Sequence, residues 1–177
     1  MADPILWTLV VFVYVLTVAL APVLALAIVL LSRRRSTTAA LGSIVGAVAG
    51  IVTLGATVGF ALVSWRAGVV LFLAGQGALF GLCVVPLLVG RGLVRQATGV
   101  DREPALRIAV TAWPVALASG FALFVAPDGF TGGVVHSNIT TVSGVSAALA
   151  WAGWALLALF GSGLVGVVGV RTVQRFR

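Results

Sequence analysis

Five long apolar runs, separated by short polar segments, dominate the hydrophobic pattern of the chain. About 20 consecutive apolar residues are enough for a helix to cross the hydrocarbon core of a bilayer. The runs lack the alternation of barrel strands and are too long for them, so each is predicted to be helical. The pattern predicts an all-α polytopic membrane protein, a single domain over residues 1–177 with five transmembrane helices. The predicted spans are 5–31, 39–63, 68–89, 108–126 and 145–170.

The segments between the runs predict how the helices are connected. Only residues 64–67 separate the second and third runs, which predicts a tight antiparallel hairpin. Residues 91–107 are predicted to form the one sizeable cytoplasmic loop. Residues 127–144 are rich in Gly, Ser and Thr, which is typical of a flexible loop.

The arginines predict the orientation of the helices in the membrane. The chain has eleven basic residues, all of them Arg, and ten follow the first, third or fifth run. Cytoplasmic segments of membrane proteins carry an excess of basic residues. We therefore expect the N-terminus outside and the C-terminus in the cytoplasm, with Arg66 as the single exception. The expected location is the cell membrane, which the chain crosses several times.

Composition narrows the possible classes of protein. Apolar residues make up 61% of the 177 residues and charged residues only 8%, far from the composition of a soluble domain. The net charge of +7 does not indicate nucleic-acid binding, because the arginines cluster between apolar runs. With one Cys and one His, a protein-only Cys/His metal site within the chain is excluded, and no cofactor is expected.

Glycines at four-residue spacing are the clearest candidate interaction signal. Residues four apart share a helix face, and Gly lets two helix backbones approach closely in lipid. Such a face could pack within the chain, against another copy or against a different subunit. The glycines predicted to pack are Gly42, Gly46, Gly50, Gly55, Gly59, Gly77, Gly81, Gly163 and Gly166.

The polar residues inside the runs carry uncharged amide or hydroxyl groups. Gln76 lies near the middle of the third run, and a buried amide in hydrocarbon seeks a partner. We expect Gln76 to clamp two helices together, or to line a path for solute with Thr53 and Thr57. No Asp, Glu, Lys, Arg or His lies deep in any run. This absence argues against proton coupling and against a retinal protein.

Charged and modifiable residues outside the runs give weaker predictions. Arg66, Asp3 and Asp128 are expected to form the charged rim on the outer side, by pairing or by binding an anion. The triplet Arg33, Arg34 and Arg35 is the candidate site for lipid headgroups. Asn138 begins an acceptor sequon for glycosylation on the same predicted outer side.

Three functions are compatible with these features. We favour a non-catalytic membrane subunit that packs through glycine-lined helix faces, with lipids, other subunits or copies of itself as partners. The first alternative is a small oligomeric channel or transporter. The second is an intramembrane enzyme or assembly factor, with Cys83 or His136 as the candidate reactive groups. No catalytic residue can be assigned from the sequence, which favours a non-enzymatic role over the enzyme alternative.

Overall fold

The computed structural model describes residues 4–125 and 145–176. Within these ranges the chain is helical apart from short connections, and it contains no strand. The predicted fold class, an all-α membrane protein, agrees with this architecture. The helices are α1 (Pro4–Leu31), α2 (Thr37–Leu62), α3 (Trp65–Ala78), a π-helical stretch (Leu79–Val84), α4 (Val85–Thr98), α5 (Arg102–Val125) and α6 (Val145–Arg175).

Four helices in the described part of the chain are long and apolar enough to cross a membrane. They are Thr37–Leu62, Gly68–Thr98, Arg102–Ala122 and Ala155–Arg175. Residues Val15–Leu31 of α1 form a further apolar helical stretch. Large apolar side chains remain exposed along these helices, as lipid contact requires and water would penalise. The protein is therefore membrane-embedded.

The predicted tight hairpin is confirmed, but the predicted 91–107 loop is wrong. Helix α4 continues to Thr98 and α5 begins at Arg102, so only residues 99–101 connect them. Gly99 has a φ of 71° and its N–H donates to the carbonyl of Arg95, which is the usual left-handed end of a helix. The helix persists beyond the apolar run because Gly90 and Val94 keep one face buried.

Contacts between the helices divide the chain into two units, Met1–Val85 and Pro86–Arg177. In unit 1, α2 packs along α3, and α1 contacts both. In unit 2, α5 packs along α6, and the core includes the fully buried side chains of Trp113, Leu106 and Val110. The hydrophobic pattern of the sequence gives no sign of this division.

The π-helical stretch precedes Pro86. The N–H of Val85 donates to the carbonyl of Phe80, a bond that spans five residues instead of four. A proline ring inside an α-helix clashes with the carbonyl four residues earlier, which here belongs to Leu82. The wider turn before Pro86 relieves that clash. Helices α1 and α5 continue as α-helix through their own prolines, Pro22 and Pro114.

Candidate functional site

The hairpin of α2 and α3 holds most of the residues singled out from the sequence. Its turn is closed by the N–H groups of Val63 and Ser64, which both donate to the carbonyl of Gly59 at 3.1 Å. Gly59 then lies directly opposite Gly68. A Cβ added to Gly59 would lie 3.8 Å from the Cα of Gly68, so the two helix backbones almost touch there.

The close approach continues two turns further from the connection. A Cβ added to Gly75 would lie 2.5 Å from a methyl group of Val52. The pairs Gly59–Gly68 and Val52–Gly75 are each equidistant from the middle of the turn, which defines the register of the hairpin. Glycine is needed at these points because any side chain would push α3 away from α2.

Gln76 links the two helices by hydrogen bonds. Its Nε2 donates to the carbonyl oxygen of Ala49 at 3.2 Å and to the Oγ1 of Thr53 at 3.3 Å. Thr53 in turn donates to the same carbonyl of Ala49 at 2.8 Å. Thr57 donates to the carbonyl of Thr53, one turn earlier in its own helix. The arrangement is that of an interhelical clamp, the first of the two roles considered for Gln76.

Beside this clamp, α2 carries an exposed face of small residues, which contacts α3 through the hydrogen bond from Gln76 to Thr53. Its members are spaced four, four, three and four residues apart, which keeps them on one side of a helix. All are exposed, and a Cβ added to any of the three glycines would have no neighbour within 4 Å. We call this the glycine–threonine face: Gly42, Gly46, Gly50, Thr53 and Thr57.

The other predicted packing glycines fall into two groups. Gly55, Gly77 and Gly81 have no neighbour within 4 Å of an added Cβ. Gly163 and Gly166 of α6 are instead in close helix contact inside unit 2. An added Cβ on Gly163 would lie 3.0 Å from the Cα of Gly90, and one on Gly166 would lie 3.0 Å from side-chain methyls of Ile108 and Val94.

Several close-packed glycines were not predicted from the sequence. Gly68, Gly75 and Gly90 all lie against another helix, although none was assigned to a four-residue pattern. For the first two a signal existed: they are seven residues apart, which is two helical turns on one face. Counting outward from the tight turn would also have paired them with α2. Gly90 carries no comparable signal, since its partners lie in α6, far along the chain.

The charged residues lie at the ends of the helices. Arg33, Arg34 and Arg35 are exposed in the turn after α1. The guanidinium of Arg66 lies 5.5 Å from the centre of the Trp65 ring, a cation–π contact at the α2–α3 turn. The two acids expected beside Arg66 in the outer rim, Asp3 and Asp128, lie outside the described residues.

The described residues offer little for catalysis or metal binding. No group of three His, Cys, Asp or Glu side chains that could hold a metal occurs among them. Cys83 is buried in the π-helical stretch and is not in a disulfide. His136 and the sequon at Asn138 lie outside the described residues, so their predicted roles stay predictions.

Comparisons with known proteins do not identify the chain. Neither the protein-family models nor the curated proteins match the sequence, and no solved structure matches the fold.

Proposed function

We propose that the chain is a non-catalytic integral membrane subunit that associates with another membrane helix through the glycine–threonine face. The observation that carries the proposal is that the three glycines of this face have open space beside them along α2. In contrast, Gly59, Gly163 and Gly166 are already used for packing within the chain. A partner can be another subunit of a larger complex or a second copy of this chain.

Physical chemistry favours such a partner. The hydrophobic effect does not drive helix association inside a bilayer, so close packing and hydrogen bonds must supply the free energy. Three consecutive glycines four residues apart create the shallow groove that allows a second backbone to approach. Thr53 and Thr57 extend the groove and add hydroxyl groups, and exposed Leu54 and Ile51 lie outside it.

The proposal includes the membrane topology. We infer five spans, of which α1 is the first. The N-terminus lies outside the cell and the C-terminus lies in the cytoplasm. The distribution of the arginines along the sequence supports this orientation: Arg66 lies between the second and third predicted spans, and the other ten follow the first, third or fifth. Labelling of single cysteines placed at residues 34 and 66, from outside intact cells, tests it. Only the cysteine at residue 66 is expected to react, and labelling of residue 34 instead would contradict the orientation.

The decisive experiment compares two matched glycine substitutions on α2. Gly46 and Gly55 are nine residues apart, half a turn around the helix, and both have open space around an added Cβ. We expect Gly46→Ile to abolish co-purification of the partner, or the homo-oligomer, in mild detergent. The Gly55→Ile variant should retain it, and both variants should fold as the wild type by circular dichroism.

Two outcomes contradict the proposal. One is a wild-type chain that runs as a monomer and carries no other protein after gentle extraction. The other is an assembly that survives Gly46→Ile as well as it survives Gly55→Ile. In either case the glycine–threonine face does not hold a protein partner.

A second candidate function is an oligomeric channel or transporter, favoured by one observation. Thr53 and Thr57 are exposed on the same face as the glycines, so association through that face would bring hydroxyl groups of several copies together. This function predicts solute or ion flux through liposomes that contain the purified chain. Flux should change in Thr57→Val, which removes a hydroxyl without breaking the Gln76 clamp. Unchanged flux would exclude Thr57 from the path.

A further inference from the structure

A groove runs between α5 and α6 in unit 2, on a surface distinct from the glycine–threonine face. Its volume is about 550 Å³, within the range of cavities that hold small ligands. The lining is almost entirely apolar and includes Ile108, Thr111 and Val115 of α5 with Gly169, Val173 and Gln174 of α6.

Two glycines of α6 explain the groove. Gly166 is packed against Ile108 and Val94, which draws α6 close to its neighbours at that level. Gly169, one turn later, has no neighbour within 4 Å of an added Cβ. The missing side chain at Gly169 therefore leaves the groove open, next to the close helix contact at Gly166.

The groove has the length of one lipid leaflet. On α6 it extends over residues 165–174, which is about 14 Å of helix at 1.5 Å per residue. Half of a hydrocarbon core of about 30 Å is close to the same length. One end of the groove lies at Ile108, directly after exposed Arg107 near the start of α5.

That end of unit 2 is strongly basic. Contacts of Gly161 with Ala116 and of Gly166 with Ile108 make α6 antiparallel to α5, so the end of α6 meets the start of α5. The short 99–101 connection brings the end of α4 to the same level. The described part of this end carries two acids, Asp101 and Glu103, against six arginines: Arg91, Arg95, Arg102, Arg107, Arg171 and Arg175.

We propose that the α5–α6 groove is a binding site for an anionic phospholipid. One acyl chain lies along Ile108, Val115 and Val173, and the phosphate lies at the basic end near Arg107. The hydroxyl of Thr111 already donates to the carbonyl of Ile108 at 2.9 Å, whereas the amide of Gln174 can donate to the headgroup. An excess of arginine at the membrane surface favours an anionic over a zwitterionic headgroup.

Native mass spectrometry of the full chain in mild detergent tests the proposal. Phosphatidylglycerol and phosphatidylcholine with identical acyl chains are added separately to delipidated protein. We expect one phosphatidylglycerol to be retained in preference to phosphatidylcholine. Arg107→Gln should lower its retention about fivefold, the effect of one basic residue near an anionic surface. Arg175→Gln is the matched comparison, because Arg175 lies on the side of α6 opposite Gly166 and should lower retention less than Arg107→Gln does.

A second pair of variants tests the groove itself. Gly169→Leu places a side chain in the groove and should abolish retention of the lipid. Gly92→Leu is the control, since Gly92 also has open space around an added Cβ but does not line the groove. If Gly169→Leu does not fold, a photoreactive phosphatidylglycerol is used with the wild type. Its cross-links should fall within residues 108–115 and 165–174.

Three results would overturn the proposal. The first is equal retention of the two lipids by the wild type. The second is retention that Gly169→Leu leaves unchanged, or cross-links that fall elsewhere. The third is a wild-type dimer that retains no lipid and is lost in Gly169→Leu, which would assign the groove to a second copy of the chain. None of these bears on the glycine–threonine face, which is tested separately through α2.

Discussion

The hydroxyl of Ser162 on α6 donates a 2.8 Å hydrogen bond to the carbonyl oxygen of Pro86 on α4, and both residues are buried. The two residues are 76 positions apart in the chain. Around this bond, Gly90 and Gly163 bring the backbones of α4 and α6 together. A small polar side chain between two glycines thus fixes how these helices cross.

Removal of this bond should weaken unit 2 modestly. We expect Ser162→Ala to lower the free energy of unfolding by about 0.6 kcal/mol, the average value for a side-chain hydrogen bond between membrane helices. Thermal unfolding in detergent, followed by tryptophan fluorescence, measures the difference. Ser43→Ala is the control, because the hydroxyl of Ser43 is exposed and bonds only to Ala39 in its own helix. Equal losses in the two variants would show that the bond to Pro86 contributes nothing specific.

Substitution of Gly90 should cost more than loss of the hydrogen bond. A Cβ at Gly90 would collide with the hydroxyl of Ser162 and lie 3.0 Å from the backbone nitrogen of Gly163. We expect Gly90→Ala to destabilise the protein by about 1–3 kcal/mol, as overpacking does elsewhere. Gly92→Ala, two residues later in open space, should leave the unfolding temperature unchanged. A Gly90→Ala protein as stable as Gly92→Ala would contradict the close approach of α4 and α6.

The Gln76 clamp should contribute to the α2–α3 hairpin. Gln76→Leu removes both hydrogen bonds to α2, and we expect a loss of about 0.6 to 1.7 kcal/mol in unfolding free energy. Thr57→Val is the matched control, because Thr57 bonds only to the carbonyl one turn earlier in α2. The same thermal unfolding assay applies. If Gln76→Leu unfolds at the wild-type temperature, the clamp is not a stabilising contact.

The connection between α4 and α5 should depend on the residue at position 99. Gly99 has a φ of 71°, a conformation that costs most other residues about 1–2 kcal/mol. We expect Gly99→Ala to destabilise the protein by about that amount. Gly99→Asn should retain most of the stability, because Asn tolerates the left-handed conformation at helix ends. A result in which Ala and Asn behave alike would argue against the left-handed turn.

The sequence predicted the parts of the fold that depend on the membrane as solvent. The apolar runs located the helices, and the separation of only residues 64–67 predicted the hairpin, because so short a link leaves no other topology. Gln76 and Thr53 could be nominated as a polar pair for the same reason. Hydrogen bonding of an amide is obligatory in hydrocarbon, so a partner on the adjacent helix was a sound expectation.

The parts that sequence reasoning missed depend on tertiary contacts. The helix beyond Val89 carries Arg91 and Arg95, and hydropathy alone assigned these charges to a loop. Buried Val94 and the turn at Gly99 instead keep the segment helical. The pairing of Ser162 with Pro86 likewise has no local signal. The role of Gly90 becomes visible only when α6 is placed against α4.

The hydrogen bond from Gln76 on α3 to the carbonyl of Ala49 on α2 has a consequence for how the chain enters the bilayer. Inserted alone, α3 would carry an amide group into hydrocarbon with no acceptor from α2. The acceptors on α2, the carbonyl of Ala49 and the hydroxyl of Thr53, are joined to α3 by a turn of only two residues. So short a turn keeps the two helices side by side. We therefore expect α2 and α3 to enter the bilayer together, so that Gln76 meets its acceptors on α2 as it leaves water.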